Sequence, residues 1–149
     1  MEAVIFIGIQ ASGKSTFYQQ RFFTTHVRIN LDQLKTRNRE KRFFDVCLQT
    51  RQRFVIDNTN PTKEDRQRYI ATAKAAGFRV IGYFFHSEIE ECQRRNESRS
   101  KAQHVPLGAI TATHGRLETP TFGEGFDELH RVRIGANNRF LVRRKISKA

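Results

Sequence analysis

Tryptophan is absent from the 149 residues, methionine occurs once, cysteine twice and proline three times. Two cysteines, Cys47 and Cys92, stand far apart and outside any C-x-x-C pair, which excludes a disulfide-stapled scaffold and reads as reduced packing thiols of a cytoplasmic protein. Long apolar runs are missing as well. The first one, residues 3–7, is too short for a signal-sequence core or a membrane span, so neither secretion nor a membrane partner is expected. No repeat, low-complexity stretch or Pro-rich linker divides the chain, and residues 1–149 read as one domain. Acidic residues are scarce: 15 Asp and Glu against 27 Lys and Arg leave a formal charge of +12, an attraction for polyanions that does not choose among them.

Phenylalanine supplies the apolar bulk that tryptophan does not, with thirteen residues. Apolar runs rich in β-branched and aromatic residues recur at 3–7, 27–29, 54–56 and 80–85, as in buried strands of a parallel sheet. Helical stretches separate them, at 14–23, 31–51 (with a break near Asn38) and 62–76. The last opens on a capping-box-like Thr62 and Asp65 after Pro61 and stops at Gly77. Ser87 and Glu90 predict a further helix start, residues 99–104 a mobile surface segment, and Pro106 the first turn of a short helix to Leu117. Apolar stretches at 129–134 and 140–146 predict a late strand or hairpin. Strand and helix in alternation give an α/β sandwich with helices on both faces.

Gly8-Ile9-Gln10-Ala11-Ser12-Gly13-Lys14-Ser15 fits G-x-x-x-x-G-K-[ST] and lies between a strand and a helix start, where a phosphate loop has to be. The glycines allow successive N–H groups to turn inward onto a phosphate, and the helix N-terminus adds partial positive charge. Gly8, Ala11, Ser12, Gly13, Lys14, Ser15 and Thr16 are therefore the candidate ATP-binding residues. Lys14 is placed to bridge the β- and γ-phosphates, and Ser15 to join a magnesium shell.

The acceptor side is read from strand ends. Ile29-Asn30-Leu31-Asp32 closes the second strand, so Asp32 emerges beside the loop, either as a general base for an acceptor hydroxyl or as the cap of the next helix. Phe54-Val55-Ile56-Asp57-Asn58-Thr59-Asn60 repeats the pattern. Asp57 is the second candidate metal residue, Asn58 and Asn60 candidate acceptor contacts, and Asn60 before Pro61 equally a helix cap. In the cluster Arg94-Arg95-Asn96-Glu97-Ser98-Arg99, arginines at a helix end either complement its dipole or fold over the γ-phosphate. Arg99 is the first candidate for that second role and Arg95 the next. The five histidines show no ligand spacing.

Taken together, residues 8–16, Ile29-Asn30-Leu31-Asp32, Ile56-Asp57-Asn58-Thr59-Asn60-Pro61, Arg95-Asn96-Glu97-Ser98-Arg99, Val105-Pro106 and Thr119-Pro120-Thr121-Phe122-Gly123-Glu124-Gly125-Phe126 resemble the 5′-kinase module of the polynucleotide kinase family. The resemblance runs in order over most of the chain. It implies a P-loop kinase three-layer sandwich with a central parallel sheet and a mobile lid, and transfer of the γ-phosphoryl of ATP, with Mg2+, to the 5′-hydroxyl end of DNA or RNA. It further implies Lys14 and Ser15 for ATP and magnesium, Asp32 as base, Arg99 as lid arginine, and Asp57 and Asn58 as site-lining residues. Two positions depart from the family: Leu31 stands where an arginine usually precedes the base, and Lys35 where a phage member of the family has a further arginine. Arg28, Lys35 and Arg37 are the cations left nearby for an acceptor phosphate. The length leaves no room for the phosphatase and ligase modules that often accompany this kinase, so separate partner enzymes are expected. The alternatives are a P-loop kinase with a small-molecule acceptor and a nucleotide- or nucleic-acid-binding module without turnover.

Overall fold

A computed structural model describes residues 1–145. The chain runs β1 (Glu2–Ile7), α1 (Lys14–Arg21), β2 (Val27–Ile29), α2 (Leu31–Leu34), α3 (Arg37–Thr50), β3 (Phe54–Asp57), α4 (Lys63–Ala75), β4 (Arg79–Phe85), α5 (Ile89–Glu97), α6 (Leu107–Arg116), β5 (Glu128–Ile134) and β6 (Phe140–Lys145). A 3-10 turn, Phe122–Glu124, precedes β5. The six strands form one sheet in the order β2-β3-β1-β4-β5-β6. The first five are parallel, and β6 returns antiparallel to β5.

β1 lies inside this sheet between β3 and β4, and its residues from Ala3 to Ile7 are all buried, as those of a strand covered by helices on both faces must be. One face carries Ile5, Ile7, Phe54 and Ile56 against Phe44 of α3 and Tyr69 and Ile70 of α4. The other carries Val4, Phe6, Val55 and Phe85 against Phe17 and Tyr18 of α1 and Phe22 beyond it. The phenylalanines thus do what the absent tryptophans cannot. Phe6 meets the rings of Phe17, Phe22 and Phe85 at centroid distances of 5.8, 5.8 and 5.0 Å, tilted or edge-on, and burial stabilises each ring by about 1.5–3 kcal/mol. A third cluster, Ile9, Cys92 and Ile110, seats α5 and α6 over the start of the phosphate loop.

The expected elements are present, with local corrections. The break in the long second helical stretch falls at Lys35 and Thr36, not near Asn38. Lys35 leaves α2 at φ 75°, and the Thr36 hydroxyl then caps α3 by accepting from the Arg39 N–H. Thr62 and Asp65 form the full capping box of α4. Ser87 caps nothing: α5 starts after Glu88 without a side-chain cap. Residues 99–104 form turns closed by Asn96, whose amide donates to the Val105 carbonyl at 2.7 Å and accepts from its N–H at 3.0 Å. The late hairpin is β5–β6; Ile146, included in its second expected stretch, lies outside the described residues. No helix among the described residues is long and apolar enough to cross a membrane.

Candidate active site

Because β1, β3 and β2 are parallel neighbours, their carboxyl ends deliver the phosphate loop, Asp57 and the Asp32 turn to one edge of the sheet. The loop leaves β1 with Gly8 donating to the Thr59 carbonyl at 3.0 Å. Gly8 has to be glycine there, since a Cβ would stand 2.9 Å from Phe85 Cβ. Ala11 (φ 60°) and Gly13 (φ 97°) then take left-handed conformations, which curl the backbone so that its N–H groups converge. A side chain at Gly13 would also strike Phe140, 2.9 Å away, so the β5–β6 hairpin packs directly against the loop. No sequence signal pointed to that contact.

Lys14 Nζ donates to the carbonyls of Gly8 and Ile9, both at 2.8 Å. Burial lowers its pKa to about 8, against upward pulls from Asp57, Cys92 and Asp32 and a further downward push from Arg99. Of these residues, Asp57 ends β3, Asp32 lies in α2 and Arg99 follows α5. Between about pH 8 and 10.5 the unfolded chain holds a proton on Lys14 that the folded chain lacks, so this group makes stability rise with pH across that window. A polyphosphate placed against Nζ reverses the shift. Nucleotide binding at pH 8 is accordingly expected to take up about half a proton, which calorimetry in two buffers of different ionisation enthalpy measures. The uptake should vanish in Lys14→Met.

Asp57 is buried at 1% exposure, and Ser15 Oγ donates to its Oδ2 at 3.3 Å. Arg28 joins the pair: Nε donates to Asp57 Oδ2 at 2.8 Å, Nη2 to Ser15 Oγ at 2.9 Å, and Nη1 to Gln33 Oε1 at 3.3 Å. Arg28, named above as a nearby cation for an acceptor phosphate, has its guanidinium engaged by the two candidate metal residues.

Asp32 is exposed in the first turn of α2, with no hydrogen-bond or ion-pair partner among the described residues. It does not cap that helix. Asn30 does, its Oδ1 accepting from the Gln33 N–H at 2.9 Å while its Nδ2 donates to the Asp57 carbonyl at 2.6 Å. Asn58 pins the same turn, accepting from the Leu31 N–H at 2.9 Å and donating to Glu40 Oε2 at 2.6 Å. Asn30 and Asn58 hold the Asp32 turn from either side, and Asn58 acts here as a brace for the turn.

The cap reading of Asn60 is corrected. Asn60 is 4% exposed, and its Nδ2 donates to the Phe6 carbonyl at 2.8 Å, tying the turn after β3 to the last residue of β1 that pairs with β3. It does not cap α4, which Thr62 does. Lys35 is exposed at the end of α2, whereas Arg37 is drawn away to Glu40 Oε1 (3.0 Å) and Tyr69 Oη (3.2 Å). Arg95 reaches over the loop, Nη1 donating to the Ala11 carbonyl at 3.0 Å and Nη2 pairing with Glu91 at 3.3 Å. Arg99 lies two residues beyond the end of α5 and is half-buried, with no side-chain hydrogen bond or ion pair among the described residues. Among the described residues no group of three or more His, Cys, Asp or Glu side chains forms a metal-holding cluster.

Residues 30–120 match the AAA domain family model. The bifunctional polynucleotide phosphatase/kinase of Schizosaccharomyces pombe is 30% identical over 135 residues, which take in 88% of this chain; the chain spans 33% of that protein's length. Among solved structures, Kti12 of Chaetomium thermophilum in complex with ADP-AlF3 superposes with a TM-score of 0.68 at 15% identity, covering 88% of both chains. The APS kinase CysC of Mycobacterium tuberculosis, in complex with AMPPNP and APS, gives 0.53 at 15% identity over 80% of this chain and 83% of its own. At these identities the structural likeness establishes the α/β P-loop fold with its six-stranded, mostly parallel sheet.

Proposed function

Because the chain belongs to the AAA domain family and carries a phosphate loop on its central strand, we propose that residues 1–149 act as one kinase domain, a polynucleotide 5′-hydroxyl kinase using ATP. The observation that supports this reading is the exposed, unpartnered Asp32 on a turn that Asn30 ties to the Asp57 carbonyl at 2.6 Å, with Ser15 of the phosphate loop bonded to the Asp57 side chain at 3.3 Å. The named activity of the S. pombe relative supports the choice of acceptor.

The loop N–H groups and Lys14 would hold the β- and γ-phosphates. Ser15 Oγ and Asp57 Oδ2, 3.3 Å apart and already sharing one cationic group, fit a divalent ion completed by phosphate oxygens and water. Magnesium bound there would neutralise phosphate charge. Asp32 takes the proton of the 5′-hydroxyl as its oxygen forms the bond to the γ-phosphorus; the bond to the β,γ-bridging oxygen breaks and its electron pair leaves with ADP. Arg99, with Arg95 beside it, offsets the charge that develops in between. Lys35 is the exposed cation nearest Asp32 in sequence for the acceptor's phosphates. Phosphatase and ligase steps on the same ends would fall to other enzymes.

A second reading, a P-loop kinase with a small-molecule acceptor, is favoured by one feature only: Leu31 stands where a polynucleotide kinase usually has arginine. Radiolabelled ATP, magnesium and a 5′-hydroxyl oligonucleotide separate the two. Label transferred to the oligonucleotide by the wild type and not by Lys14→Ala supports the polynucleotide reading; ATP turnover without labelled oligonucleotide overturns it in favour of the second. With a charge of +12, oligonucleotide affinity should also fall more steeply with salt than ATP affinity does. Equal slopes for both ligands would argue against a polymeric acceptor.

A further inference from the structure

Arg28 is the least expected member of the site. Its guanidinium donates to Asp57 Oδ2 and Ser15 Oγ, at 2.8 and 2.9 Å, which are the two oxygens read above as metal ligands. One cation therefore already sits where the other would have to enter. The arrangement is well supported from behind: the Arg28 guanidinium lies 6.0 Å from the centre of the Tyr18 ring, and Tyr18 is itself fixed by donating to the His26 carbonyl at 2.6 Å. Arg28 remains partly exposed, at 26%, while Asp57 is at 1%, so the arginine borders solvent and the aspartate does not. Its third bond, to Gln33 Oε1, points to where it would go, since Gln33 follows Asp32 in α2.

We propose that Arg28 is a displaceable internal cation: it holds Ser15 and Asp57 together until a divalent metal arrives with the nucleotide, and the metal then releases it toward the Asp32 turn to meet an acceptor phosphate. This rests on the reading of Ser15 and Asp57 as the metal residues. It makes Arg28 the residue that couples donor loading to acceptor binding, through two sites competing for one side chain. It also gives the acceptor side an arginine fork near Asp32, where Leu31 leaves none.

The test has two measurements, neither of them turnover. In the first, fluorescent ADP is held constant and Mg2+ is titrated against wild type, Arg28→Gln and Arg28→Lys, with thermal melts to check folding. Losing a charge-assisted pair of bonds that the metal must displace should lower the half-saturating Mg2+ about tenfold in Arg28→Gln. Arg28→Lys, which keeps the charge but cannot span both oxygens, should fall between, and it decides the matter if the Gln variant does not fold. A midpoint that is unchanged or higher in the variants overturns the proposal, because an arginine that merely positions the ligands would give that result. ADP binding that is indifferent to Mg2+ in the wild type removes the metal site itself and the proposal with it.

In the second measurement, a 5′-hydroxyl oligonucleotide is titrated with and without Mg·ADP. Wild type should gain at least about fivefold in affinity with Mg·ADP, and Arg28→Gln should gain nothing. An equal gain in both proteins overturns the release toward the acceptor. If the wild type binds no oligonucleotide in either state, the polynucleotide reading fails together with that release, while the Mg2+ midpoints still report on the competition.

Discussion

Asp32→Asn is expected to lower phosphoryl transfer by about 10²–10⁴-fold while leaving nucleotide affinity and folding stability near wild type. The reason is the isolation of the side chain: it is exposed, caps nothing and has no partner among the described residues, so its replacement removes no structural bond. Asparagine keeps the shape but cannot accept the hydroxyl proton. Single-turnover transfer, set beside ADP titration and a urea melt of the same variant, measures all three quantities. Turnover near the wild-type rate would show that the proton leaves by another route. Loss of nucleotide binding with turnover would mean instead that Asp32 serves the donor through Lys14, whose charge it supports.

Arg66→Leu is expected to destabilise the protein by about 3–5 kcal/mol, a large part of the 5–15 kcal/mol by which domains are commonly stable. Arg66 is fully buried, at 0% exposure, and forks onto Glu124, with Nε to Oε1 at 2.7 Å and Nη2 to Oε2 at 3.1 Å. Its remaining Nη1 donates to the carbonyls of Asn60 and Pro61, at 2.9 and 3.1 Å. Glu124 also accepts from the Thr121 N–H at 2.8 Å. Removing the arginine strands a buried carboxylate and frees the turn that follows Asp57. The double variant Arg66→Leu with Glu124→Leu should recover much of the loss, since it leaves no unpaired charge. Urea midpoints of the wild type, both single variants and the double variant decide this; additive losses would show that the two residues act separately.

The Arg66–Glu124 pair gives a physical reason for a motif that the sequence marked only by likeness. Thr121 and Glu124 close a capping box around a 3-10 turn, and the carboxylate then reaches back to α4. Thr62 with Asp65 was legible outright, because both halves of that capping box lie within four residues. Asp32 as base or cap was not. The rival that won the cap, Asn30, differs from it by two positions, and strand-end geometry alone does not rank them. The Asn60 contact was hidden for a related reason. The residue follows the acid at a strand end, as a site residue would, but the open carbonyl it satisfies belongs to Phe6, 54 residues away.

The phosphate loop, the acids at the strand ends and the alternation of strand and helix could all be read along the chain. These are properties of consecutive residues, where glycine, backbone preference and apolar spacing act over a few positions. The strand order and the contact of Phe140 with Gly13 came from the packed fold alone. It also decided which partners the charged residues take. Arg28 meets Asp57 across 29 positions and Arg66 meets Glu124 across 58. A cation binds whichever anion the packed sheet brings within about 3 Å, and that proximity is set by neighbouring strands and not by neighbours in sequence.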